Sequence, residues 1–365
     1  MNYKEKLARS FNGRTVLITG HTGFKGGWLA LWLESLGAKV IGYSQAPPTD
    51  PSFFNETGLC NHIMNIRGDI LDQKNVSHVI NEYRPDFVFH LAAQPLVRAS
   101  YKNPHETFNV NVMGTVNVLE SIRVSQNPTV CVCITSDKCY ENKEWDYAYR
   151  ESDPMGGHDP YSASKGAAEI VIASYRKSFF KTDGSKPLCA LSSARAGNII
   201  GGGDWAEDRI VPDCVRSLVN GKTIKIRNPS AVRPWQFVLD PLFGYLWLAL
   251  KMKENPEEYS GAWNFGPYYS NNVNVQTLTE KIVLEWGAGT WEQNLQTNNP
   301  HEAGFLKLDI AKSVTRLGWK PVYGIEEAIR KTVEWYRTDY ARAEDMYKFS
   351  LGQIESYLND ADKNV

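Results

Sequence analysis

Residues 15–26 read Thr15-Val-Leu-Ile-Thr-Gly-His-Thr-Gly-Phe-Lys-Gly26, and the apolar run Trp28-Leu-Ala-Leu-Trp-Leu33 follows almost directly. The first five residues suit a short buried strand, and the later run suits a helix that stops at Gly37. Strand, glycine turn and helix is the context in which backbone N–H groups at a helix N-terminus hold a pyrophosphate. The spacing is Gly20-x-x-Gly23-x-x-Gly26, not the commoner Gly-x-Gly-x-x-Gly, and the same pattern also describes a tight turn before a helix. The flanking strand and helix favour the cofactor reading, with Thr22, Phe24 and Lys25 of the turn placed beside the ligand.

Working outward, further β–α units follow. A strand over 39–43 ends in Ser44-Gln45, where a dinucleotide fold expects an acidic residue for the ribose hydroxyls, and no Arg stands there for a 2′-phosphate. Local chemistry therefore leaves NAD and NADP open. A third strand, 62–66, leads to Gly68-Asp69-Ile70. Asp69 is placed to accept from an adenine amino group or to cap the next helix. A helix over 76–83 and a strand over 86–90 precede Leu91, Ala92, Ala93 and Gln94, where small residues let backbone approach a flat ring. A helix over 109–124 carries Asn111, a polar contact or a cap. These units, from 14 to about 193, imply an α/β fold with a Rossmann-type doubly wound parallel sheet.

Beyond them a strand over 188–193 runs into Arg195-Ala-Gly-Asn198-Ile-Ile-Gly-Gly-Gly203, a loop suited to closing over a ligand. Short strands near 223–226 and 261–265 alternate with helices near 209–220, 239–251 and 274–286. Two helices, 325–338 and 341–358, come last, the final one at a surface or interface. We expect residues 1–193, with 239–265 returning to them, to form the cofactor domain, and 194–365 to form mainly a smaller α/β substrate lobe.

Composition narrows the partners. With 365 residues, a net charge of -1 and 22% charged residues, nothing draws the chain to nucleic acid or a membrane surface. The N-terminus is polar and reads as leading straight into a strand, with no signal peptide, and the apolar run 245–250 is too short to span a bilayer. The six Cys show no metal spacing, so a reduced cytoplasmic protein without a metal is expected. The Trp-rich stretches (28, 32, 247, 263, 286, 319) read as core.

The chemistry concentrates in two clusters. Ser136-Asp137-Lys138 lies just past the strand Val130-Cys-Val-Cys-Ile-Thr135, and Tyr161-x-x-x-Lys165 opens a helix. Four residues is about one turn, so phenol and ammonium share a face. A cation beside the phenol favours the phenolate, lowering a pKa that starts near ~10. Such a base takes a proton from a sugar hydroxyl while a hydride leaves the same carbon. Asp137 and Lys138 add two titratable groups that suit an elimination. Arg209 and Arg233 are candidates for a diphosphate, which guanidinium forks match.

On the glycine turn, Leu91–Gln94, Ser136-Asp137-Lys138, Tyr161-x-x-x-Lys165, Arg195-Ala-Gly-Asn198, Arg233-Pro-Trp-Gln-Phe-Val238 and Pro300-His-Glu302, the chain resembles the extended short-chain dehydrogenase/reductases. Within them it is similar to the nucleotide-sugar 4,6-dehydratases, and most to the branch acting on CDP-glucose. Relatives acting on dTDP-glucose carry Thr-Asp-Glu where this chain has Ser136-Asp137-Lys138; an amine there is similar to the CDP-glucose branch. The resemblance implies NAD as cofactor, met by the glycine turn, Asp69, Ile70, Leu91–Gln94, Asn111, Thr135, Tyr161, Lys165 and Arg195. It implies a CDP-glucose substrate met by Asn198, Arg209, Arg233, His301 and Glu302. It also implies a homodimer or homotetramer pairing through helices near 105–124 and 161–180, and a product used for deoxysugars of surface polysaccharide (O-antigen). Two other readings share parts of this set. A nucleotide-sugar 4-epimerase needs Tyr161 and Lys165 but not Asp137, and a catalytically silent NAD-binding regulator needs none of the reacting groups.

Overall fold

The structure, a computed structural model, describes residues 2–180, 187–268, 271–294 and 306–363. A seven-stranded sheet organises it: β1 (Thr15–Thr19), β2 (Lys39–Ser44), β3 (Met64–Arg67), β4 (Phe87–His90), β5 (Thr129–Ile134), β6 (Cys189–Arg195) and β7 (Ala262–Asn264). All neighbours pair in parallel, in the order β7-β6-β5-β4-β1-β2-β3. The inner strands β4, β5 and β6 are buried at every residue, because helices cover both faces of a parallel sheet. The strand order reverses between β1 and β4, and ligands of doubly wound sheets bind outside the C-terminal strand ends at that point.

The longer helices are α1 (Tyr3–Phe11), α2 (Phe24–Ser35), α3 (Gln73–Tyr83), α4 (Gly114–Ser125), α5 (Pro160–Ser178), α6 (Ile210–Val219), α7 (Leu239–Glu254), α8 (Val275–Trp286), α9 (Ile325–Ala341) and α10 (Met346–Lys363). Helix α1 corrects the expectation that the N-terminus leads straight into a strand. Asn2 and Glu5 form a capping box, and Leu7 and Phe11, one turn apart, are buried. Helix α2 is apolar on every side and buried from Gly26 to Leu33, with Lys25, Glu34 and Ser35 at its two ends. It tolerates this because α10 lies over it, with Trp32 edge-on to Tyr357 at 5.9 Å. Trp28, Trp32, Trp263 and Trp319 are all core residues.

Strand β7 comes late in the chain yet extends the large sheet beside β6. Outside the large sheet, residues 199–200 pair with 236–237, 232–234 with 272–274, and 224–226 with 291–293. These short pairs and α6 face the C-terminal ends of β4–β6 across a cleft. Among the described residues no helix is long and apolar enough to cross a membrane.

Candidate active site

The glycine turn is built by close approach. Gly20 has φ 81°, and a Cβ there would lie 2.7 Å from the Ala92 nitrogen; one at Gly26 would lie 2.1 Å from the Gly20 oxygen. Gly23 caps α2 without a side-chain acceptor, and the first turn holds no acidic residue. The first N–H groups of a 12-residue helix are thus left to a ligand, which fits the pyrophosphate of a dinucleotide.

At the C-terminal end of β2, Thr22 Oγ1 pairs with Ser44 Oγ at 2.9 Å. Asp69 accepts from Leu71 N (2.8 Å) and Gln45 Nε2 (2.9 Å), while Asp72, not Asp69, caps α3. Ile70 is buried beside it. Arg67, from the end of β3, donates to Gln45 O at 2.7 Å, so a cation reaches the Ser44-Gln45 turn from the neighbouring strand.

Leu91 and Ala93 line the cleft, but Asn111 does not. It sits buried in a turn of π-helix, Asn109–Met113, that leads into α4. Its side chain accepts from Gln94 N (2.8 Å) and donates to Gln94 O (3.1 Å) and Ser164 Oγ (2.8 Å). Asn111 therefore ties the loop after β4 to the Tyr161 helix.

The two reacting clusters meet across one cavity of about 450 Å³, lined by Ser136, Asp137, Lys138, Tyr161 and Lys165 together with Lys25, Asn198, Arg209 and Arg233. Ser136 Oγ donates to Asp137 Oδ1 at 2.8 Å and accepts from Lys138 N at 3.2 Å. Asn198, at φ 51°, donates to Asp137 Oδ2 at 3.2 Å. Asp137 is thus fixed from both oxygens, 2% exposed.

The expectation that Lys165 lowers the Tyr161 phenol is not met. Burial pushes that phenol up to about 12, and the Ser136 hydroxyl beside it only moderates the rise. Burial also pushes Lys165 down to about 8, against the pull of Glu169. Lys25 is held down to about 7 by burial and then by Lys165 and Arg209, with Asp137 opposing. Lys165, buried, and Lys25, half-buried, face one cavity and are poised to receive negative charge.

Arg209 lines the cavity while paired with Asp204 at 2.8 Å. Arg233 also lines it, with Nη1 donating to Val232 O at 2.9 Å. His301 and Glu302 lie outside the described residues. Arg195 is placed differently from the expectation: it is buried behind the cavity wall, ion-paired to Glu169 at 2.7 Å and donating to Tyr140 Oη at 2.7 Å. A strand-end Arg with a buried carboxylate this close is consumed by it. Thr135 lines the cavity, but its hydroxyl turns to Glu169.

Two features escaped the sequence reading. Asp208, in the cavity wall, is bracketed by Arg227 at 2.5 Å and Arg98 at 3.6 Å, residues far apart in the chain. Glu169 was readable in principle, as the acidic residue one turn past Lys165.

Residues 17–332 match the profile of a family described as GDP-mannose 4,6 dehydratase. The chain is 46% identical over 351 residues to the CDP-glucose 4,6-dehydratase of Salmonella typhimurium, covering 96% of this chain and 97% of that protein. It is 26% identical over 344 residues to a dTDP-glucose 4,6-dehydratase of Xanthomonas campestris, covering 89% and 93%. Its fold is similar to that of Bacillus anthracis dTDP-glucose 4,6-dehydratase in complex with NAD, at a TM-score of 0.73 and 20% identity over 90% of this chain and 98% of that one. It is equally similar to Thermotoga maritima UDP-glucose 4-epimerase, at 0.74 and 20% over 89% and 99%. The structural likeness spans both reaction types, while the family profile and the relative at 46% identity are dehydratases, and the chain belongs to the GDP-mannose 4,6 dehydratase family.

Proposed function

We propose that the chain converts CDP-D-glucose to CDP-4-keto-6-deoxy-D-glucose and water, by oxidation, elimination and reduction in one site. The observation that carries this reading is the Ser136-Asp137-Lys138 turn facing Tyr161 and Lys165 across one cavity. A 4-epimerase has no use for a fixed carboxyl in that position. The 46% identity to a CDP-glucose 4,6-dehydratase supports the same choice of sugar nucleotide.

NAD, when bound, accepts the hydride of carbon 4 and returns it to carbon 6, so no reductant is consumed. The chain's own groups do the rest. Tyr161 takes the proton of the 4-hydroxyl, its phenolate disfavoured by burial and favoured by the Ser136 hydroxyl and then by Arg209, and Lys165 brings a further cation to the same cavity. Ser136 donates to the 4-oxygen as it becomes a ketone, and the ketone acidifies the proton on carbon 5. Lys138 removes that proton and returns it to carbon 5 as carbon 6 is reduced, and Asp137 passes a proton to the departing 6-hydroxyl, which leaves as water. Arg209, Arg233 and Asn198 meet the diphosphate, and His301 and Glu302 the nucleoside. Gly20–Gly26 and the loop Leu91–Gln94 hold the dinucleotide, with Asp69 at its adenosine end.

Residues 1–193 with 239–265 carry the cofactor, and 194–365 carry mainly the sugar nucleotide. Exposed apolar side chains at Phe108, Met113, Val124, Ile170 and Phe179 support pairing of two chains through the helices near 105–124 and α5. Free thiols at all six Cys, five of them buried, suit a reducing compartment such as the cytoplasm.

The test is incubation with CDP-glucose, UDP-glucose and dTDP-glucose, following the 4-keto product by its absorbance in alkali. Product from CDP-glucose alone is expected. Product from another nucleotide instead sinks the cytidine assignment, and no product from any of them sinks the dehydration.

A further inference from the structure

Glu169 lies one turn beyond Lys165 on α5, and the two are buried, 4% and 6% exposed. No step above uses it. Its carboxylate accepts from Thr135 Oγ1 at 2.5 Å, Ser193 Oγ at 2.7 Å and Arg195 Nη2 at 2.7 Å. Thr135 immediately precedes Ser136 and Asp137. Arg195 continues the network to Tyr140 Oη (2.7 Å) and Glu151 O (3.2 Å), and Tyr140 Oη donates to Asn264 Oδ1 (2.7 Å). One buried carboxylate therefore connects the Tyr161 helix, the end of β5 and the end of β6.

The groups around Lys165 give that carboxylate a second consequence. Lys165 faces Glu169 on its own helix, Cys133 from β5, Cys139 from the turn after it, His90 from β4 and Lys25 from α2. The Cys131 contact and then burial lift the Cys133 thiol well above its usual range, burial does the same for Cys139 and pushes His90 down to about 3, so all three are neutral at neutral pH. Lys25 adds positive charge. Glu169 is the carboxylate among these groups that favours the Lys165 ammonium. It stays ionised because Arg195 and its other donors outweigh its burial.

We propose that Glu169 is a positioning residue for the reacting pair: it keeps Lys165 an ammonium in a buried site, and through Thr135 it fixes the turn that presents Ser136 and Asp137. The kinetic part of this role rests on the dehydratase reading; the ionisation of Lys165 does not.

Removing Glu169 alone strands a buried guanidinium and risks misfolding, so the test uses the double variant Glu169→Gln with Arg195→Met, which removes both charges together. In protein labelled at the lysine side chains, an NMR titration reads the Lys165 ammonium, assigned by its loss in Lys165→Met. The Lys165 midpoint is expected to fall by about one pH unit or more in the double variant, a tenfold change in the ammonium-to-amine ratio. The upper limb of the pH–kcat profile moves down with it. An unchanged Lys165 midpoint in a folded double variant overturns the charge role, even if the melting temperature drops. Thr135→Val tests the second link: kcat falls with KM and the Lys165 titration unchanged, and Thr135→Ser restores it. Wild-type kinetics in Thr135→Val overturn that link. If no nucleotide sugar is turned over at all, the dehydratase reading fails while the titration still decides the role of Glu169.

Discussion

Gly197→Ala is a small change with a large expected effect. A Cβ at residue 197 would lie 2.0 Å from Asp137 Cγ and 2.1 and 2.2 Å from its two oxygens. Its φ lies outside the left-handed region, so the alanine suffers from contact and not from backbone strain. Ordinary contact begins at 3.4 Å, so the carboxyl must retreat by about 1.4 Å, and a misplacement of about 1 Å already costs about 10²-fold. The backbone is poorly placed to yield instead, because Gly197 O accepts from Gln236 Nε2 at 2.9 Å. The retreat also breaks the bonds to Ser136 and Asn198. We expect the formation of 4-keto-6-deoxy product to slow about 10²-fold, about 2.7 kcal/mol of transition-state stabilisation. Oxidation at carbon 4 should persist, read as reduced-nicotinamide absorbance in a single turnover. Product formation within threefold of wild type in a normally folded variant would refute the reasoning. Equal loss of oxidation would show that the clash disturbs more than Asp137.

Lys138→Glu is expected to retain solvent exchange at carbon 5, because a carboxylate can replace the amine as base. Lys138→Met should lose that exchange by about 10²-fold or more with oxidation intact, followed by deuterium incorporation. The Lys25 ammonium, held down to about 7 against an ordinary 10.5, makes the unfolded chain the better proton binder between those values. Unfolding free energy of the ligand-free protein therefore gains from this group as pH rises above 7, and Lys25→Met should flatten that gain in thermal melts at pH 6.5 and 9. Ile170, 62% exposed on α5, is the natural site to disrupt pairing. Ile170→Glu should shift the sedimentation coefficient toward the monomer, and an unchanged coefficient would place the interface elsewhere.

The parallel sheet was legible because each unit carries its own local signal: apolar β-branched strands, a glycine turn, and helices of the right period. The two clusters that meet at the cavity were legible for the same reason, since Ser136-Asp137-Lys138 and Tyr161–Lys165 are short-range patterns. What local pattern cannot show is which long-range partner a polar side chain has. Arg195 looked available for a ligand until Glu169 met it from another element. Asn111 looked like a ligand contact until Gln94 and Ser164 used its amide. Burial was equally invisible, and it reverses the direction expected for the Tyr161 phenol. Helix α1 is a different case, because the Asn2–Glu5 capping box and the Leu7–Phe11 spacing were in the sequence to be read.

The cover that α10 places on α2 has a temporal side. Tyr347 hydrogen-bonds Glu34 across 313 residues of chain. At about 5–20 residues per second of synthesis, the helix behind the glycine turn waits roughly 16–63 s for its cover. During that interval the apolar stretch Gly26–Leu33 lacks the part of its cover that α10 supplies. A chain that ends before α10 thus leaves the α10-facing side of Trp32 uncovered, an apolar surface open to other chains.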